Sequence, residues 1–123
     1  MGRMLGRKER TLTYLGPDTE VLGDFKAKGH VRIDGRVQGL VLVEGELEVG
    51  PTGRVEGERV EAKAVHIHGE VKADLVAEKV SLSKTARFTG TLRAQTLDVE
   101  AGAVFVGQSV VGEQRVLEAP KEG

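Results

Sequence analysis

Apolar and polar positions alternate along much of this chain. In residues 31–45 the odd positions carry valine, isoleucine or glycine, and most even positions are charged or polar. A period of two is typical of a β-strand with one buried face. The alternation lasts too long for a single strand, and no Asn-Gly or similar hairpin turn interrupts it. The pattern therefore predicts short strands that bend at glycine and keep one side apolar.

Three apolar rows repeat with a common step of about 17 residues. The first row has steps of 16, 18, 16, 17 and 17 residues and consists of Val21, Val37, Val55, Val71, Phe88 and Phe105. The second row is Ile33, Val49, Ile67, Leu82 and Val99, and the third is Phe25, Val43, Val60, Val76 and Leu92. Repetition at a fixed period is the sequence signature of a solenoid. Three rows predict a solenoid with three sides.

Each coil is expected to contain three short strands, with about two side chains of each strand pointing inward. Glycines recur at the expected corners, namely Gly35, Gly39, Gly45, Gly57, Gly69, Gly90 and Gly107. The segment 50–53, Gly-Pro-Thr-Gly, predicts a tight turn. The coil step varies between 15 and 18 residues instead of keeping a strict six-residue phase. We therefore predict an all-β, right-handed, three-sided parallel β-helix of about 5–6 coils.

Two other folds fit the pattern less well. A β-sandwich needs hairpin signals and longer strands, which this sequence lacks. An α-helical fold needs a period of 3.6, and glycine interrupts the chain too often for it. Residues 1–13 are expected to form a flexible basic tail, residues 14–111 the β-helix, and residues 112–123 a charged, disordered tail.

Composition limits the function classes. The formal net charge is −1, which gives no overall electrostatic footprint for nucleic acid, so we expect no direct nucleic-acid binding. Cysteine is absent, which suits a reducing cytoplasm and excludes thiolate sites and disulfides. No apolar stretch is long enough to cross a membrane, and the basic start lacks the apolar run of a secretory signal. We expect a cytoplasmic protein.

Catalytic, metal and cofactor sites are not predicted. His66 and His68 point the same way on one strand, but zinc needs three or four ligands and His30 would have to come from elsewhere. Glu44, Glu46 and Glu48 are expected to share one outward face, and carboxylates in this arrangement are typical of a solvated surface. The glycines form no phosphate-binding loop. We therefore expect no cofactor and no enzyme activity.

The two ends of the predicted solenoid are candidate assembly surfaces. A solenoid ends in unpaired backbone groups, and soluble solenoids usually cover these with a polar or helical cap. Neither end shows such a cap, and Phe105 stands near the last coil where earlier coils carry mostly valine. We predict a polymerisation interface formed by Val104, Phe105 and Val106 at one end and by Leu12 and Tyr14 at the other.

The order of these motifs resembles the bactofilin family. The resemblance rests on VRIDGRVQG from Val31, VHIHGEV from Val65 and LDVEAGAVFVG from Leu97, and it covers residues 14–110 approximately. It implies a bacterial cytoskeletal protein with a right-handed β-helical core. It further implies nucleotide-independent self-assembly, head-to-head and tail-to-tail, into non-polar filaments that organise cell shape or cell-wall machinery. Cell-wall or nucleoid proteins are further partners that it implies.

The N-terminal tail is a candidate membrane-targeting segment. Met4 and Leu5 lie among basic residues that include Arg7 and Lys8. Basic side chains near an anionic membrane contribute about 1 kcal/mol each, so two apolar side chains with such neighbours give weak membrane binding. The bactofilins resemble this chain in having a short membrane-targeting segment at the N-terminus. The expected location is therefore peripheral, at the inner face of the membrane.

An enzyme remains the alternative. Acyltransferases of the hexapeptide class, and carbonic anhydrases built on a left-handed β-helix, resemble this chain in period. Such enzymes need long active-site loops and a catalytic or zinc-binding histidine set. No predicted loop here exceeds a few residues.

Overall fold

The computed structural model describes residues 12–117, and it consists there of strands and turns. The strands are β1 (Leu12–Leu15), β2 (Glu20–Leu22), β3 (Phe25–Ile33), β4 (Arg36–Gln38), β5 (Val41–Val49), β6 (Arg54–Glu61), β7 (Ala64–Ile67), β8 (Glu70–Val76), β9 (Lys79–Leu82), β10 (Arg87–Glu100) and β11 (Val104–Leu117). No helix occurs within this range, so the all-β prediction is confirmed. Several strands are longer than predicted because they continue around a corner.

Every strand pairing is parallel, and the pairings stack the strand segments into three faces. The first face contains segments 12–15, 30–33, 46–49, 64–67, 79–82, 96–99 and 113–117. The second face contains 20–22, 36–38, 54–56, 70–72, 87–89 and 104–106. The third face contains 25–28, 41–44, 60–61, 75–76, 92–93 and 109–110. The chain visits the three faces in turn, which is the winding of a three-sided solenoid.

The winding makes about six coils. The second and third faces contain six segments each and the first contains seven, so six full coils are followed by one further segment. This confirms the predicted three-sided parallel solenoid and its coil number. The hand of the winding stays a prediction from the coil step.

Two of the three predicted apolar rows are confirmed. Val21, Val37, Val55, Val71, Phe88 and Phe105 are successive register partners on the second face. Ile33, Val49, Ile67, Leu82 and Val99 are successive partners on the first face. Most of these side chains are fully buried, and together they form the core along the axis of the solenoid.

The third predicted row is wrong in register. Phe25 lies beside Val41 instead of Val43, and Val60 lies beside Leu75 instead of Val76. The observed row is Phe25, Val41, Val60, Leu75 and Leu92. The sequence offers two apolar residues at both disputed positions, and β6 has a register shift between residues 56 and 59. Periodicity alone could not choose between the two registers.

Glycines stack at the corner between the second and third faces, as predicted. Gly39 has a φ of +144°, a conformation that L side chains rarely adopt. A Cβ at this position would also overlap the carbonyl oxygen of Gly23 in the coil below. Close stacking of the coils at this corner therefore requires glycine at position 39.

β5 turns a corner at Gly45, where φ is +148°. The turn leaves Glu44 on the third face, whereas Glu46 and Glu48 lie on the first face. The expectation that these three glutamates share one face is wrong. The period of two continues through the corner, so alternation alone does not reveal the change of face.

The last strand reaches beyond the predicted end of the β-helix. β11 continues to Leu117 because residues 113–117 pair with residues 96–100 of β10. The boundary predicted at residue 111 therefore falls inside a strand. At the other end β1 begins at Leu12, close to the predicted start at 14. Residues 1–11 and 118–123 lie outside the described part of the chain.

Candidate assembly interface

The C-terminal end of the solenoid is a free strand edge. β11 follows all three faces from Val104 to Leu117, and it pairs with β10 on one side. Within the described residues no strand pairs with its other side. Its backbone N–H and C=O groups therefore form an edge that can recruit another strand.

Phe105 lies inward at this edge. Its ring stacks on the ring of Phe88 in the preceding coil, with ring centroids 5.2 Å apart and an interplanar angle of 20°. Phe88 is fully buried, whereas Phe105 is only partly buried, because within residues 12–117 no further strand of the second face covers it. Such a pair contributes about 0.5–1.5 kcal/mol beyond its area burial. Phe105 thus closes the core and presents one apolar side of its ring at the end of the solenoid.

The side chains on either side of Phe105 in the sequence point outward from the solenoid. Val104 and Val106 occupy the outward positions of the same strand segment, and both side chains are exposed. Successive side chains of a strand point to opposite faces, so the predicted trio divides into one inward and two outward residues. Of these three residues, only Phe105 lies where a second molecule stacked on this end would contact it directly.

The N-terminal end is also open. β1 and β2 each pair with one strand, as does the first half of β3, within the described residues. The inward side chains there are Leu15, Val21 and Phe25, which pack partly buried against the core. These three residues were absent from the predicted interface. The signal was available, because Val21 and Phe25 belong to the predicted apolar rows.

Leu12 and Tyr14 of the predicted interface lie on the outward side of β1 and are exposed. The Tyr14 hydroxyl donates a hydrogen bond of 2.7 Å to Oδ2 of Asp34. Asp34 is the one buried charged side chain in the described range, and Arg32 Nε donates to its other oxygen at 3.1 Å. The hydrogen bond from Tyr14 to Asp34, with smaller contributions from desolvation and from the carboxylate charge, raises the pKa of Tyr14. Tyr14 therefore attaches β1 to the second coil.

The histidines lie on or beside the outward side of the first face. His30 Nδ1 is 3.5 Å from Oε1 of Glu46, and His68 Nε2 is 3.6 Å from Oε2 of Glu48. Arg32 also binds Glu48, with 3.2 Å between NH1 and Oε2. In residues 12–117 no group of three or more histidine, aspartate or glutamate side chains is arranged to hold a metal ion. The arrangement is a surface network of polar and charged contacts between coils.

The predicted membrane-targeting residues Met4, Leu5, Arg7 and Lys8 lie outside the described residues. Within 12–117 the chain has no helix that is long and apolar enough to cross a bilayer.

Comparison with known families gives one match that covers most of the chain. A family model described as "Bactofilin: Polymer-forming cytoskeletal" matches residues 13–110. Two curated bactofilins of Myxococcus xanthus are similar in sequence. BacO is 30% identical over 96 residues, which cover 77% of this chain and 75% of BacO. BacP is 29% identical over 111 residues, which cover 89% of this chain and 46% of BacP, so the chain spans about half of that relative.

Solved structures of bactofilins share the fold. Double helical filaments of Thermus thermophilus bactofilin, reconstructed by cryo-EM, match with a TM-score of 0.80 and 83% identity, covering 81% of this chain and 99% of that one. A crystal structure of the Thermus thermophilus protein with an F105R substitution matches with a TM-score of 0.71 and 82% identity, covering 72% and 99%. The bactofilin BacA, determined by solid-state NMR, matches with a TM-score of 0.74 and 37% identity, covering 81% and 95%.

Proposed function

The chain belongs to the bactofilin family of polymer-forming cytoskeletal proteins, and on that premise we propose that it assembles end to end, without nucleotide, into non-polar filaments. The observation that carries the proposal is the open C-terminal end, where Phe105 stacks on Phe88 beside the free edge of β11. A second molecule stacked there would cover the exposed side of the Phe105 ring and pair with the free strand edge. The protein acts as a structural polymer and not as a catalyst.

Each junction joins identical ends. Two C-terminal ends meet at one junction and two N-terminal ends at the next, so the filament has no polarity. Such contacts are isologous, because the same surface contributes from both partners. At the N-terminal junction the buried residues are Leu15, Val21 and Phe25, which already pack partly against the core. Leu12 and Tyr14 border that junction on its outer side.

Filaments pair in this proposal, as they do in the double helical filaments of the Thermus thermophilus relative. The paired polymer lies at the inner face of the cell membrane, held by Met4, Leu5, Arg7 and Lys8 of the N-terminal tail. There it organises cell shape or cell-wall machinery. The family resemblance and the basic, partly apolar tail sequence support this location.

Electron microscopy of the purified protein without nucleotide tests the polymerisation proposal. We expect the natural chain to form long filaments and Phe105→Arg to abolish them, because an unpaired charge buried in the junction is costly. The matched control is Thr89→Arg, which adds the same charge at an exposed position on the second face, one coil further in. Circular dichroism should show the same strand content in all three proteins.

Two outcomes would contradict the proposal at different points. A natural chain that remains single particles at every concentration would contradict polymerisation itself. Long filaments of Phe105→Arg would leave polymerisation intact but would exclude stacking through Phe105.

A further inference from the structure

Among the side chains that the structure describes, the most exposed large apolar ones lie on the first and last coils. Leu12 is 68% exposed, Tyr14 56%, Leu22 70%, Val104 44%, Val106 57% and Val110 60%. All six occupy outward positions of their strands, on the sides of the solenoid. Stacking of the ends covers inward residues such as Phe105 and leaves these side chains largely uncovered.

The strand register shows that the residue type itself changes at the end of the solenoid. The high exposure of these apolar side chains therefore does not come from their terminal position alone. Val104 ends an outward column of the second face that reads Glu20, Arg36, Arg54, Glu70, Arg87 and Val104. Val106 ends the neighbouring column, which reads Leu22, Gln38, Glu56, Lys72, Thr89 and Val106. Polar residues occupy every middle coil of both columns. Valine replaces them only where the solenoid ends.

The valines form one surface around a corner. Val104 and Val106 lie on the second face and Val110 on the third, with the corner glycine Gly107 between them. At a junction of two C-terminal ends the partner contributes the same three residues. The junction therefore carries six outward valines, three from each copy, whereas a single molecule carries only half of this surface. We call it the valine surface.

We propose that the valine surface is the contact through which two filaments of this protein associate side by side. The proposal rests on the proposed function, because the complete surface exists only after two C-terminal ends have met. It specifies where paired filaments touch, which end-to-end stacking leaves open. Pairing follows polymerisation, since single molecules lack half of the contact.

A second filament of the same chain is the partner that fits this surface. A non-polar filament repeats the valine surface once every two molecules, and only a filament with the same repeat presents a matching row of contacts. Weak contacts repeated along two linked rows add to a firm association. Between the valine surfaces the sides carry both signs of charge, for example the pair Arg36 and Glu20 with 3.5 Å between NH1 and Oε2. The second face therefore gives no apolar alternative for the contact in its middle coils. On the third face the column that ends at Val110 also holds Leu42 and Val76, but both are half-buried, whereas Val110 is 60% exposed.

The test replaces the three valines by threonine. Val104→Thr, Val106→Thr and Val110→Thr together keep branched side chains that suit a strand while removing apolar surface. The matched control is Val76→Thr, because Val76 is a half-buried valine in the middle of the column that ends at Val110. Electron microscopy of each protein, without nucleotide, counts single and paired filaments and measures their widths.

We expect the natural chain and Val76→Thr to form paired filaments, and the triple variant to form single filaments with at least a tenfold lower fraction of pairs. Paired filaments of the triple variant at the natural fraction would overturn the proposal. Loss of all filaments in the triple variant would overturn it too, because the valines would then belong to the end junction. Natural filaments that never pair would equally overturn it. Unpaired natural filaments would also count against the pairing part of the proposed function, whereas absence of any filament from the natural chain would count against polymerisation itself.

Discussion

Tyr14 shows how one side chain links the first strand to the body of the solenoid. Its hydroxyl reaches across to the next coil and donates to the carboxylate of Asp34, which Arg32 also contacts. Thr52 Oγ1 donates to the backbone oxygen of Asp34 at 2.8 Å, so the turn at 50–53 supports the same residue. A hydroxyl that donates to a carboxylate holds its proton more tightly, and for this reason the pKa of Tyr14 is raised.

The raised pKa predicts how alkali acts on the first strand. The folded protein holds the Tyr14 proton more tightly than the unfolded chain does. The stabilisation is therefore fully present below the ordinary tyrosine value of 10.0 and is lost as the pH rises through the higher pKa of the folded state. Tyr14 is the single tyrosine of the chain, so the ultraviolet absorbance of tyrosinate reports on this residue alone.

We expect the titration midpoint of the folded protein to lie above 10.0 and to fall in Asp34→Asn, which removes the charge while keeping the size. Denatured protein supplies the reference midpoint for both chains. Identical midpoints in the natural protein and in Asp34→Asn would show that the negative charge of Asp34 does not hold the proton.

At the scale of the strand and its corner, glycine allows the coils to stack. Gly23 and Gly39 occupy the same corner in successive coils, and both have positive φ angles, +127° and +144°. They differ in their surroundings. A Cβ on Gly23 would meet nothing within 4 Å, whereas a Cβ on Gly39 would overlap the backbone of Gly23. Alanine substitutions at these two positions therefore separate the cost of backbone strain from the cost of steric overlap.

We expect Gly23→Ala to lower the free energy of unfolding by about 1–2 kcal/mol, the strain of a left-handed conformation. Gly39→Ala should cost about 2–5 kcal/mol, because an overpacking cost of about 1–3 kcal/mol adds to the same strain. Urea unfolding measures both, in the Phe105→Arg background so that assembly does not contribute to stability. If Gly23→Ala and Gly39→Ala lowered the free energy of unfolding equally, the close contact between stacked corners would be contradicted.

At the scale of the whole molecule, assembly converts weak contacts into strong ones. One N-terminal tail with two apolar residues and a few basic ones binds an anionic membrane weakly. A filament presents many such tails in a row, and their effects combine once the first tail is bound. Membrane binding in the proposed function therefore depends on polymerisation.

Sedimentation with anionic vesicles tests separately whether membrane binding requires the N-terminal tail and whether it requires polymerisation. We expect the natural filaments to pellet with vesicles, and a chain without residues 1–10 to polymerise normally but to stay in the supernatant under conditions that do not pellet free filaments. Phe105→Arg, which keeps the tail, should bind at least tenfold more weakly than the filament. Equal vesicle binding by the natural chain and the shortened chain would refute the role of Met4, Leu5, Arg7 and Lys8.

The sequence alone determined the length of one coil and which side chains face its interior. Apolar residues at alternate positions of a strand indicate the side that is buried. The repeat of about 17 residues located the rows that end at Phe105 and Val99, and glycine marked corners such as Gly39.

Only the tertiary structure decided which residues lie side by side and which direction each outward side chain takes. It replaced Val76 by Leu75 in the third row and separated Glu44 from Glu46 at a corner. It also placed Val106 on the side of the solenoid while Phe105 stayed at the end. Alternation has one period for all three faces, so it distinguishes inward from outward but not one face from the next. That choice depends on where the chain turns, and turns are set by contacts between coils that are distant in sequence.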